Sequence, residues 1–456
     1  MSVSLMAAPA LPRLQVSDNG RYLTTAAGDS FFWLGDTAWE LFHRLDRAEI
    51  ADYLDDRAGK RFNVVQAVLL AEADGLTVAN REGELPFHDL DPTRPNEAYF
   101  ALVDHVVREA SARGIYLALL PTWGAHVEDR KHPLFDNMHV FTVENARVYG
   151  RFLGERYGPA GNIIWVLGGD RVPTDYEETW EAMVAGLNEG DPAGLMTYHV
   201  NGGRTSATYW HDAAWLDFNM IQSGHARYNQ RNWEMVARDH ARSPIKPTLD
   251  GEPNYEGLPV AFTEANPPFT DYDVRKAAYW SVFAGSFGHT YGHNSIWQMH
   301  RPGETKPILG AALSWREAMA APGSGQLQHL RALMESRPFL TRLPDQSLID
   351  DVGIDSDHLQ ATRDGTPGKN DATWIMVYHP IMRNLTVNTA VMAGDRLRCW
   401  WFDPRTGESW LAGEMDNPGS MKRPWEWRIQ AGQGSPDWVF VIDDAAAGYG
   451  PPGQHP

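Results

Sequence analysis

Residues 162–170 read N-I-I-W-V-L-G-G-D. Asn162, a turn residue, opens the stretch; Ile163, Ile164, Trp165, Val166 and Leu167 follow without a polar break; Gly168, Gly169 and Asp170 close it. A short unbroken apolar run between turn signals marks a strand buried on both faces, and its β-branched and aromatic content favours strand over buried helix. Asp170 therefore stands where a buried parallel strand leaves the core. In such folds that is the end where ligands bind.

The same alternation extends to either side. Residues 14–32 form a small antiparallel unit, with turns at Asp18, Asn19 and Gly20 and again near Gly28. Strands are then predicted at 31–34, 63–69, 115–121, 163–167, 196–200, 218–222, 248–249 and 288–291. Helical patterns at 47–60, 99–113, 145–157, 176–188, 233–241, 274–283 and 311–318 separate or follow them. Eight strands with intervening helices over some 300 residues predict a (β/α)8 barrel, that is, a TIM barrel in the α/β class. A doubly wound sheet would want a glycine-rich phosphate turn after its first strand, and none occurs there.

Beyond Pro344 the pattern changes to short strands at 373–378, 385–389, 396–402, 425–429 and 438–442, separated by Gly, Pro, Asn and Asp. That spacing predicts an all-β sandwich. The expected domains are residues 1–345, the barrel with its N-terminal hairpin, and residues 346–456, the sandwich.

A formal charge of −19 leaves no basic footprint for nucleic acid. One cysteine, Cys399, excludes an intrachain disulfide framework and any multi-cysteine metal site. No apolar run is long enough to span a membrane, and the N-terminal apolar patch is cut by Pro9 and Pro12, so no secretory leader is evident. No cofactor and no metal are expected; H-x-x-x-H at His289 and His293 is a weak ligand pattern for a strand.

In a barrel, reacting groups project from the C-terminal strand ends. Those ends carry Asp36, Trp39, Glu72, Trp123, His126, Asp170, His199, Gln222, His225, Glu252 and His293. A face so polar, without a redox motif, fits a hydroxyl-rich substrate. Cleaving a glycosidic bond needs two carboxyl groups, one protonated and one ionised. Asp170 after the fourth strand and Glu252 after the seventh are the best-placed pair, with Glu72 and Glu256 as rivals. Asp36, Trp39, Gln66, Trp123, His199, Gln222, His293 and Trp297 are the expected sugar-binding residues, the tryptophans by stacking on a ring face.

Four motifs, F-F-W-L-G-D-T-A-W at 31–39, W-V-L-G-G-D at 165–170, L-D-G-E-P-N-Y-E at 249–256 and G-H-T-Y-G-H-N-S-I-W-Q-M at 288–299, resemble the apiosidase-like enzymes of glycoside hydrolase family 140. The resemblance runs over almost the whole chain, since those enzymes also carry a C-terminal β-sandwich of the type labelled collagen-binding, whose last strand P-D-W-V-F-V-I-D-D at 436–444 resembles. It implies a retaining hydrolase that removes the branched pentose apiose from pectin-type glycans, with Asp170 matching the family's acid/base and Glu252 its nucleophile. One departure stands out. Barrel glycosidases usually place Asn–Glu after the fourth strand, whereas Gly–Asp stands here, one methylene shorter. Two alternatives remain open: another exo-acting furanosidase, such as an arabinofuranosidase, and a non-catalytic carbohydrate-binding barrel.

Overall fold

A computed structural model describes residues 11–128, 138–423 and 436–454. Eight strands, β1 (Trp33–Thr37), β2 (Val64–Val68), β3 (Tyr116–Leu120), β4 (Ile163–Gly168), β5 (Met196–His199), β6 (Asn219–Gln222), β7 (Thr248–Asp250) and β8 (Gly288–Tyr291), are buried at every residue. Full burial on both faces is why their sequences read as continuous apolar runs. They pair in parallel in the order β5-β4-β3-β2-β1-β8-β7-β6, with β8 closing against β1 through Gly288 opposite Trp33. The seam between β5 and β6 carries no ladder. It is knitted instead by the Thr197 hydroxyl, which donates to Phe218 O at 2.7 Å, and by Asp217 N–H donating to Met196 O at 2.9 Å. The rings of Trp33, Phe218 and Phe287, 5.4 to 6.1 Å apart, plug the N-terminal end of the barrel. The (β/α)8 expectation holds.

The outer ring contains α1 (Arg47–Gly59), α2 (Glu97–Ala112), α3 (Val143–Tyr157), α4 (Glu177–Gly190), α5 (Asn232–His240), α6 (Asp271–Phe283) and α7 (Pro322–Glu335). Reciprocal capping boxes, Asp46 with Glu49 and Thr142 with Asn145, start α1 and α3. Helices α3 and α4 pack backbone to backbone: a Cβ on Gly186 would fall 2.1 Å from Arg147 O. No helix among the described residues is long and apolar enough to cross a membrane.

Two sequence expectations change. Strand β1 runs to Thr37 rather than stopping at Leu34, and Asp36, expected at the strand's end, is buried inside it and ion-paired. The helix expected at 311–318 shrinks to Trp315–Ala318, while α7 was not anticipated behind P-G-S-G; Pro322 occupies its first turn, where a missing N–H costs nothing. The strand expected at 425–429 lies outside the described residues.

The C-terminal part holds β9 (Leu343–Pro344), β10 (Gln360–Arg363), β11 (Trp374–His379), β12 (Leu385–Asn388), β13 (Arg396–Phe402), β14 (Ser409–Asp416), β15 (Ser420–Arg423) and β16 (Trp438–Asp444). Six of them form one sheet in the order β9-β10-β11-β16-β13-β14, and β12 pairs with β15 in the other. Alternation along β11 and β16 divides their side chains. Ile375, Val377, Phe440 and Ile442 face the sandwich core with Leu385, Val387, Met421 and Cys399, while Trp374, Met376, Tyr378, Val439 and Val441 join the barrel's core. The two-sided burial makes one body of sandwich and barrel.

At this junction Tyr378 stacks on Tyr279 of α6 with centroids 4.8 Å apart, and His358 stacks on Trp233 of α5 at 4.2 Å. Arg275 of α6 makes a bidentate pair with Asp437, at 2.7 and 2.8 Å, neither side chain being exposed. Removing one partner of such a pair strands the other's charge. Asp437→Ala is expected to lose about 3–5 kcal/mol of stability in chemical denaturation, and Arg275→Met with Asp437→Leu to recover most of that loss.

Candidate active site

The chain leaves β4 through three consecutive left-handed residues, Gly168 (φ +86°), Gly169 (φ +108°) and Asp170 (φ +53°). The glycines are obligatory here. A Cβ on Gly168 would sit 2.2 Å from His199 O, and one on Gly169 2.8 Å from the Trp123 indole. Aspartate tolerates the left-handed region better than most residues, so the turn ends on a carboxylate without a third glycine. Gly169 N–H donates to His199 O at 3.0 Å and Asp170 N–H to His199 Nδ1 at 3.3 Å, locking the turn onto the end of β5.

Glu252 follows β7 and is fixed from three sides. Asp250, buried, accepts from the Ser223 hydroxyl at 2.8 Å and from Asn232 at 3.0 Å. Gly251 O accepts from Gln66 at 2.9 Å, and Glu252 O from Gly224 N–H at 3.1 Å. The Glu252 side chain is 4% exposed, and each of its oxygens meets an imidazole: Oε2 lies 3.0 Å from His199 Nε2 and Oε1 3.0 Å from His225 Nε2. Because His199 Nδ1 accepts the Asp170 amide, Nε2 is the nitrogen free to donate to Glu252.

The two carboxyl groups are driven apart in acidity. Burial, the largest influence on Glu252, would raise it, but hydrogen bonds from His199 and His225 outweigh burial and hold it below the usual carboxylate range. Asp170 moves upward, to about 6, first by burial and then by the charge of Glu252; His199, Arg171 and a hydrogen bond with Gln222 pull weakly the other way. Imidazole His199 is itself raised, burial being overcome by its bond to Glu252. Below about pH 6, one carboxyl is thus protonated while its neighbour is ionised.

Both carboxylates open into a cavity of about 270 Å³, close to the lower end of small-molecule pockets, which start near ~300 Å³. Trp39, Trp123 and Trp297 form aromatic walls, with Glu72, Gln222, His225 and Tyr255 as further polar lining and Leu258, Phe262, Ile308 and Leu309 at the apolar side. The Trp39 and Trp123 rings lie 5.5 Å apart. A larger hollow of about 590 Å³ adjoins it across Ile308 and Leu309 but carries neither carboxylate.

Of the ten residues expected from sequence, Asp170, Glu252, Trp39, Trp123, Gln222 and Trp297 line this cavity, and His199 stands directly behind the carboxylates. Three do not reach it. Asp36 is wholly buried, accepting from Tyr53 Oη at 2.6 Å and paired with Arg57 at 3.1 Å; it ties β1 to α1. Gln66 is wholly buried too, and acts on the site only through Gly251. His293 caps the short helix Asn294–Trp297, accepting from Ser295 N–H at 3.0 Å. The sequence reading placed His225 at the strand ends without giving it a task and did not single out Tyr255, although Tyr255 follows a predicted strand end by only a few residues. The apolar lining from 258–262 and 308–309 had no signal, because only the fold brings those loops together.

Ligand atoms of Asp170, His199 and Glu252 lie within 4.8 Å of one another, a donor set of the kind that can hold a divalent ion. Both Glu252 oxygens already face imidazole nitrogens at 3.0 Å, which suits an ionised carboxylate held for reaction at least as well as a metal ligand.

Residues 17–341 match the family model described as "Apiosidase-like, catalytic domain", and residues 343–443 match "Putative collagen-binding domain of a collagenase". Among solved structures, one titled "Glycoside hydrolase" is 36% identical, covers 95% of this chain and 97% of its own, and superposes with a TM-score of 0.85. A glycoside hydrolase family 5 structure from Bacteroides vulgatus is 35% identical, with 96% of each chain covered and a TM-score of 0.86. No curated protein matches the sequence.

The opposed shifts make a direct prediction. In carboxyl ¹³C NMR, Asp170 is expected to titrate near pH 6 while Glu252 stays ionised through that range. Glu252→Gln removes the neighbouring charge, so the Asp170 titration should move to lower pH.

Proposed function

This chain belongs to the apiosidase-like family and is a glycoside hydrolase, and from that premise we propose that it releases apiose from apiosides and pectin-type glycans by double displacement through Asp170 and Glu252. The observation that carries the reading is the carboxyl pair. Oxygens of Asp170 and Glu252 approach within 4.8 Å in a cavity the size of one sugar. Retaining glycosidases hold their carboxyl groups about 5–5.5 Å apart, inverting ones about 6.5–9.5 Å.

Each step follows from the protonation states. Protonated Asp170 gives its proton to the glycosidic oxygen as the bond from that oxygen to the anomeric carbon breaks. Glu252, ionised and oriented by His199 and His225, attacks the same carbon and forms a glycosyl ester. Once the aglycone leaves, Asp170, now a carboxylate, takes a proton from water; the hydroxide oxygen bonds to the anomeric carbon and the ester bond returns its electrons to Glu252. Trp39, Trp123 and Trp297 supply faces for the sugar ring, and Gln222 lines the cavity beside Asp170.

Activity on 4-nitrophenyl β-D-apiofuranoside, compared with arabinofuranosides and galactosides, tests the substrate. An arabinofuranoside turned over in preference would replace apiose with another pentofuranose. Asp170→Ala is expected to lower kcat/KM by about 10²–10⁴-fold on unactivated leaving groups and much less on dinitrophenyl glycosides, which need no acid. Wild-type kcat/KM should fall as pH rises through about 6, where Asp170 gives up its proton. NMR of the first-formed anomer should show retention; early inverted product would sink the covalent route.

A further inference from the structure

Glu72 is the one carboxyl lining the cavity that this mechanism leaves without a task. We propose that Glu72 is the specificity-determining residue of the site, hydrogen-bonding the hydroxymethyl branch at C3 of the apiose ring. The proposal rests on the apiosidase reading and adds to it the residue that reads the sugar.

The backbone around Glu72 is held on both sides. Leu70 O accepts from Trp123 N–H at 3.2 Å, Ala71 O from His126 Nε2 at 3.2 Å, and Ala73 N–H donates to the buried Glu40 at 3.1 Å. Asp74, left-handed at φ +64°, turns back to donate to Glu72 O at 3.0 Å. Glu72, only 8% exposed, lines the cavity together with Trp39 and Trp123. Strand order sets it, after β2, between these tryptophans of β1 and β3 and on the opposite side of the barrel from β6, which His225 follows.

Ring orientation follows from what is already filled. The anomeric carbon must lie between Asp170 and Glu252, and the side toward β5 is occupied by the fully buried His199. The sugar therefore extends toward the tryptophans of β1, β3 and β8. In a five-membered ring C3 and C4 form the edge across from the anomeric centre, and in apiose C3 carries the hydroxymethyl arm.

The chemistry of Glu72 suits a hydroxyl. Burial pushes its pKa well above the carboxylate range, and the charges of Asp170 and Glu40 push it the same way, while Arg171 and the Trp123 indole act against them. A neutral carboxyl offers one O–H donor and one carbonyl acceptor, and adds no second negative charge beside Glu252.

The test compares 4-nitrophenyl β-D-apiofuranoside with the matching β-D-erythrofuranoside, which lacks only the branch. Wild type should prefer the apioside by roughly 10²-fold or more in kcat/KM, since a site built to bond a hydroxyl rejects the analogue without it. Glu72→Leu should erase most of that preference by losing apioside activity while leaving the erythrofuranoside within about threefold. Glu72→Gln, which keeps a donor and an acceptor, should retain most of it and leave the basic limb of the pH profile in place. Equal loss on both substrates in Glu72→Leu would make the role merely structural and overturn the proposal. So would a Glu72→Gln variant as damaged in kcat as Glu72→Leu with a displaced pH limb, since Glu72 would then act as an ionising group. A wild type that ignores both compounds but cleaves an arabinofuranoside would defeat the apiose reading on its own. The comparison then passes to that sugar and its 5-deoxy analogue, where an unchanged ratio in Glu72→Leu overturns the role of Glu72 as well.

Discussion

Two carboxyl groups with oxygens within 4.8 Å of each other, Glu252 buried and Asp170 only partly exposed, cannot both be charged at low cost. The mouth of this barrel settles the conflict by asymmetry. Glu252 has an imidazole nitrogen 3.0 Å from each of its oxygens, from His199 and His225 after β5 and β6, whereas for Asp170 burial and the charge of Glu252 outweigh His199, Arg171 and Gln222. The negative charge therefore settles first on Glu252. Two carboxyl groups differ in acidity here through their neighbours.

That asymmetry is inherited from strand order. His199 lies between the two carboxylates because β5 follows β4 in the sheet, and it touches both: Nδ1 receives the Asp170 amide while Nε2 faces Glu252. His225 sits two residues past Ser223, and Glu252 two residues past Asp250; the bond between Ser223 and Asp250 holds these two exits in step. Beneath them, Gln66 reaches from β2 to Gly251. Buried polar groups inside the barrel thus set the geometry of groups at its mouth.

The fold was legible because strands buried on both faces carry their signature in four or five consecutive residues, as 163–167 does. The pairing of Asp170 and Glu252 at one cavity was legible for a related reason: ligands of a barrel bind at strand ends, so finding the strands found both residues. What failed was telling a carboxylate at the end of a strand from one inside it. Asp36 follows an apolar run much as Asp170 does, and only the three-dimensional packing brings Tyr53 and Arg57 of α1 onto it. His293 misled in the same way, since a histidine that caps a helix and one that binds a sugar look alike in sequence. The apolar rim at 258–262 and 308–309 belongs to loops without periodicity, placed by tertiary packing alone. The sandwich strands at 360–363, 409–416 and 420–423 escaped notice because they are short, or exposed along much of their length.

The short acid after β4 is explained by the backbone rather than by the side chain. Three left-handed residues in a row wind the chain so tightly that Gly168 comes against His199 O and Gly169 against the Trp123 ring, distances no side chain could occupy. Such a turn brings the Asp170 backbone close enough for its amide to reach His199, and so supplies by main-chain position the reach that a glutamate would supply by an extra methylene. A longer acid on the same turn would carry its carboxyl past this point, toward Glu252 or out to solvent, and change its separation from Glu252. The paired glycines and the aspartate are therefore one solution, in which neither half works without the other.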